Sequence, residues 1–149
     1  MATVKGVNKT LIDAGGLSNK YEQGYLDGRV KCFFDQYEVS STVSGTVIEM
    51  GPELPVGSKI LEVILSTDDI GGSATTLAVG DLEDTDRYIS ATNHGDGSVT
   101  TRLNKPDGLG YEVDMTTATT PDNQITITTG NSTSGTTGTI NLVVFYTKD

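Results

Sequence analysis

The side chains that most readily do chemistry near neutral pH are scarce in these 149 residues, which hold one histidine, His94, and one cysteine, Cys32. Imidazole, thiolate and clustered carboxylates are what active sites use to move protons or hold metals. A solitary imidazole in Asn93-His94-Gly95-Asp96-Gly97, a turn composition, reads as a surface residue and a poor metal ligand or triad member. Cys32 alternates with Val30 and Phe34 and is expected to share their face as a small buried hydrophobe. A reactive thiol would need exposure and nearby positive charge.

Carboxylates are the remaining candidates. Asp81-Leu82-Glu83-Asp84-Thr85-Asp86 and Asp68-Asp69 offer oxygen ligands for Ca²⁺, but neither has the spacing D-x-[DN]-x-[DN]-G, so a solvated acidic face is the expectation. A glycosidase-type pair needs two carboxyl groups about 5–9.5 Å apart, which depends on the fold. Sugar clefts favour broad aromatic platforms, and the chain has no Trp. The glycines form neither G-x-x-x-x-G-K-[ST] nor a strand-to-helix fingerprint, so no phosphate cradle is expected. No catalytic residue, cofactor or metal is assigned, and the expectation is a non-enzymatic protein.

Net charge is −10, which argues against nucleic acid as a partner. The charge is unevenly placed. Residues 1–31 carry five basic side chains against three acidic ones, +2, and the rest carry five against seventeen, −12. That asymmetry hints at an N-terminal arm meeting an acidic protein surface, although scattered basic residues are ordinarily just solvated. One cysteine cannot form an internal disulfide and Met1 to Asp13 lack a secretory apolar run, so synthesis in a reducing cytoplasm is expected. No run approaches the ~18 apolar residues of a membrane span, so no membrane partner is expected.

Residues 1–28 lack sustained periodicity and contain five glycines, which reads as an extended N-terminal arm. Residues 29–149 read as one domain of about eight strands: Arg29–Tyr37, Thr46–Met50, Lys59–Leu65, Thr75–Gly80, Ser98–Leu103, Tyr111–Met115, Gln124–Thr128 and Thr139–Thr147. Gly51-Pro52, Pro55-Val56-Gly57, Gly71-Gly72, Pro106-Asp107-Gly108 and Pro121-Asp122 punctuate them as turns. A short helical turn is expected around Asp84 to Tyr88, and the stretch from Gly130 to Gly138 reads as an exposed flexible connector. Tyr111, Val113 and Met115 oppose Glu112 and Asp114, while Ile125 and Ile127 oppose Gln124, Thr126 and Thr128, giving a core face and a wet face. Lys59–Leu65 and the final strand are apolar on both faces and call for a second covering layer from an arm, a loop or another subunit. The fold class is all-β, a jelly-roll-like β-sandwich of about eight strands with an extended N-terminal arm.

Eight phrases are distributed along the chain: Val7-Asn8-Lys9-Thr10, Gly28-Arg29-Val30, Ile48-Glu49-Met50-Gly51, Leu54-Pro55-Val56-Gly57-Ser58-Lys59, Val79-Gly80-Asp81, Asp86-Arg87-Tyr88-Ile89-Ser90-Ala91, Gly108-Leu109-Gly110-Tyr111-Glu112-Val113 and Leu142-Val143-Val144-Phe145-Tyr146. Together they resemble the head decoration or cement proteins of tailed bacteriophages. The resemblance implies a jelly-roll subunit without catalysis. It implies assembly with copies of itself, as a dimer or trimer, on the outer capsid surface of a virion, between major capsid proteins. The residues expected to contact the shell or a neighbouring copy lie in the arm: Lys5, Lys9, Lys20, Tyr21 and Tyr25. The competing expectation, from a different class, is a carbohydrate- or receptor-binding module of a phage tail or fibre. A hydrolase using two carboxylates ranks last.

Overall fold

β-Branched runs separated by glycine and proline turns become eight strands in a computed structural model that describes residues 29–40, 43–72, 74–115, 121–131 and 137–148. In chain order these are β1 (Val30–Ser40), β2 (Val47–Met50), β3 (Lys59–Thr67), β4 (Thr76–Gly80), β5 (Ile89–Asn93), β6 (Val99–Arg102), β7 (Ile125–Gly130) and β8 (Thr137–Thr147). The expected arm, residues 1–28, and residues 132–136 of the expected connector lie outside the described residues.

The strands form two four-stranded sheets, ordered β1-β8-β3-β6 and β2-β7-β4-β5. All pairings are antiparallel, and four of them join β1 to β8, β2 to β7, β3 to β6 and β4 to β5. First strand with last, second with next to last, and so inward is the pairing of one long hairpin rolled over on itself. That is the jelly roll, whose two inner faces enclose one core. Ile60, Val63, Leu65, Ile140, Leu142 and Val144 from the first sheet bury against Leu77, Val79, Ile89, Ile125 and Ile127 from the second. Each such side chain contributes roughly 1.5–3 kcal/mol through burial.

Two expected elements differ. The segment from Asp84 to Tyr88 forms no helix. It makes one hydrogen-bonded turn, Arg87 N–H donating to the Asp84 carbonyl at 3.3 Å and Asp86 N–H to the carboxylate of Asp84, the expected cap, at 3.3 Å. It is tied to the preceding strand and turn, with Asp81 N–H donating to the Asp84 carbonyl at 2.9 Å and Tyr88 N–H to the Val79 carbonyl at 2.9 Å. Ile89–Asn93, unrecognised in sequence because Ser90, Thr92 and Asn93 look like loop, is instead a strand paired to β4. Conversely, Tyr111–Met115 reduces to a single bridge from Glu112 to Lys59 beside β3. Its alternation still places Val113 in the core, but Met115 takes a positive φ of 58° and lies exposed.

The double-sided apolarity of β3 has a local cause. A bulge between Ile60 and Glu62 inserts one residue, so Ile60 faces the same core as Val63 and Leu65 despite the odd spacing. The outer side of β7, expected to be wet, is covered: Thr126 is fully buried. Its register partner Gly80 has the backbone of Asp84, Thr85 and Asp86 pressed against it, leaving no room for a Cβ.

Candidate interaction surface

The outer face of the first sheet is laid out in rows by strand register. Phe34 of β1 stands beside Val143 of β8, which stands beside Ile64 of β3, which pairs with Arg102 of β6. The next row holds Cys32, Phe145 and Glu62, and Val30 begins the strand. Phe34 and Val30 are each 62% exposed; Val143, Phe145 and Ile64 are half-buried. On one flank a polar row closes the strip, with Gln36 Nε2 donating to Asn141 Oδ1 at 3.0 Å and the Ser66 and Thr100 hydroxyls 2.9 Å apart. On the other, Arg102 Nη1 meets Glu62 Oε2 at 3.0 Å. An apolar centre with a polar rim is the anatomy of a protein-binding patch.

Cys32 is therefore exposed, contrary to the buried position expected from its alternation with Val30 and Phe34. The shared face was right, but the inward face of β1 is the other one, carrying Phe33, Asp35, Tyr37 and Val39. Alternation reveals that two faces differ and not which is the core, and here both faces of β1 carry large apolar groups. Asp35, on the inward face of this edge strand, accepts from Gly51 N–H at 2.6 Å and from Gln36 N–H at 2.8 Å. The Phe33 ring fills the space a side chain at Gly51 would need, and Gly51 has φ +68°, so this junction between the sheets requires glycine.

His94 is likewise not at the surface: it is fully buried. Its Nδ1 lies 3.0 Å from the Thr67 hydroxyl of β3 and its Nε2 3.2 Å from the Thr101 hydroxyl of β6. Burial disfavours the charged ring and lowers its pKa to about 4. The imidazole is a neutral polar bridge. Gly and Asp around it in sequence concealed that the turn folds inward, its Gly95 lying against the Gly72 carbonyl.

The acidic stretch is an internal clamp. Buried Asp81 receives Arg87 Nε at 2.6 Å and the amides of Glu83 and Asp84 at 3.0 and 2.8 Å. Burial raises the Asp81 carboxyl above the usual range even against those donors. Arg87 also pairs with Glu83 at 2.7 Å and lies 4.0 Å over the Tyr111 ring. Tyr111 donates to Asp122 at 2.8 Å, and Asp122 accepts from the amides of Asp114 and Met115, each at 2.9 Å. Burial alone would raise the Asp122 carboxyl, but those hydrogen bonds outweigh it and hold it below the usual range. Lys105 takes Asp86 at 3.1 Å. The clamp ties three loops together, and its carboxylates serve neighbouring protein groups. Among the described residues no cluster of three or more His, Cys, Asp or Glu side chains is placed to hold a metal ion. No helix there is long and apolar enough to cross a membrane. The arm residues Lys5, Lys9, Lys20, Tyr21 and Tyr25 lie outside the described residues.

The fold and surface define an eight-stranded jelly-roll sandwich with an outward apolar strip on one sheet. Two solved structures share this fold. One is a chain of the capsid asymmetric unit of cyanophage Pam1, 24% identical with a TM-score of 0.69, the match covering 83% of this chain and 88% of that one. Another is a chain of the capsid of Ralstonia phage GP4, 19% identical with a TM-score of 0.53, covering 80% of this chain and 85% of that one. At these identities the likeness is one of fold. No protein-family model and no curated protein sequence matches the chain.

Proposed function

We propose that this chain is a non-enzymatic structural protein of a phage virion, which decorates the outer capsid surface and stabilises it by binding between major capsid proteins. The observation that carries the reading is the exposed strip of Phe34, Val30 and Cys32, continued by Val143, Phe145 and Ile64, on a fold shared with chains of two phage capsids. A sheet face with an apolar centre and a polar rim suits contact with another protein. The clamp and the His94 bridge are spent on holding loops, which suits a rigid subunit. Residues 1–28, with Lys5, Lys9, Lys20, Tyr21 and Tyr25, supply further contacts to the shell or to a neighbouring copy, in the manner of extended arms that add backbone hydrogen bonds at sheet edges.

Binding only to the assembled shell stabilises that state by mass action, and repetition over many shell sites makes modest contacts collectively strong. The test is to add purified protein to particles that lack it, from the virus that encodes it. Saturable binding, a raised disassembly temperature and density on the outside of the shell in a reconstruction are expected. Particles that neither bind it nor gain stability would refute the reading.

A further inference from the structure

One edge of the first sheet is unpaired among the described residues, and it belongs to β1, an 11-residue strand. Long open edges invite a further strand. The Gln36 amide donates to the Asp35 carboxylate at 2.8 Å. By the two-residue period of a strand, this places the amides of Val30, Cys32 and Phe34 on the side away from β8. The same three residues carry the exposed apolar side chains, so backbone donors and apolar surface coincide.

We propose that the occupant of this edge is a second copy of the same strand, paired antiparallel about a two-fold axis at Phe33. The inference rests on the reading above that copies of the chain associate. Charge selects the register. With the axis at Phe33, Lys31 stands opposite Asp35 of the second copy and Asp35 opposite its Lys31. Cys32 then stands opposite Phe34 of the second copy on the outer face, so the two apolar strips merge across an eight-stranded sheet. An axis at Asp35 would oppose two carboxylates, which is destabilising. Among the described residues Lys31 has no ion-pair partner, and Asp35 accepts from the amides of Gly51 and Gln36 without meeting a cation.

Sedimentation of the full-length protein across concentration, together with thiol cross-linking, tests this. The expected result is a reversible dimer in which the two Cys32 residues, roughly 8 Å apart across the diagonal, are joined by a short bismaleimide, with no product from Cys32→Ser. Lys31→Glu and, separately, Phe34→Glu should each raise the dimer dissociation constant about tenfold or more while leaving the thermal unfolding of the monomer unchanged. A chain that stays monomeric up to about 100 µM overturns the proposal. So does a monomer whose Cys32 reacts slowly, since cover would then come from the chain's own residues, and so does a dimer indifferent to both substitutions. These solution measurements are separate from shell binding, so failure here leaves the capsid reading to its own test.

Discussion

Nδ1 of His94 and the hydroxyl of Thr67 lie 3.0 Å apart in a fully buried site, and this contact joins the end of β5 in one sheet to the end of β3 in the other. The ring stays neutral because burial lowers its pKa from 6.5 to about 4.

An acid sensitivity follows. The unfolded chain takes up a proton at this ring near pH 6.5 and the folded one only near pH 4. Stability from this site is therefore complete above pH 6.5, falls as the pH drops through that window, and is level below it. The loss is expected to be about 1–3 kcal/mol. Urea unfolding at a series of pH values should show this slope in the natural protein and a flatter one between pH 6.5 and 4 in His94→Gln, which keeps a polar group for both threonines.

Gly80→Ala is expected to be severely destabilising, by about 2–4 kcal/mol. A Cβ there would collide with the Asp84 carbonyl and the backbone of Thr85 and Asp86, none of which can swing aside as a side-chain tip would. A lowered denaturant midpoint with unchanged slope would register it. An unchanged midpoint would mean that the loop does not rest on β4.

Asp122→Asn should cost about 1–3 kcal/mol, because one carboxylate serves the Tyr111 hydroxyl and the amides of Asp114 and Met115. The depressed pKa of Asp122 gives the sign with pH: its contribution is present above the unfolded carboxyl range and is lost as pH falls through the lower folded value. The difference between natural and substituted protein should therefore shrink below about pH 4 in thermal melts. A constant difference would assign the effect to packing.

Removal of residues 1–28 should reduce occupancy on particles by about tenfold or more while the sandwich keeps its circular dichroism spectrum and cooperative melt. Full occupancy after truncation would remove the arm from the binding role and leave the strip around Phe34 to supply it.

Much of the architecture was legible in the chain itself. Runs such as Lys59–Leu65 and Thr139–Thr147 alternate or saturate with β-branched residues, and the Gly and Pro between runs leave the backbone few options except reversal, although the final strand begins two residues earlier, at Thr137, inside the expected connector. Local chemistry therefore determined that the protein is all-β, roughly where its strands lie, and that His94 and Cys32 are each solitary. Several outcomes needed contacts between residues far apart in sequence. Ser90, Thr92 and Asn93 became a strand because β4 offered them a ladder, while Tyr111–Met115 bonds to the short stretch from Gly57 to Ile60 and forms, among the described residues, one isolated bridge to Lys59. The facing of Phe34 and Cys32 was decided by which side of β1 met Gly51 and the core, the burial of His94 by Thr67 and Thr101, and the service of Asp81 by Arg87. Strand periodicity reports only that a segment has two unlike faces. Assigning either face to the interior requires the opposing sheet, and that exists only once the hairpin has rolled up.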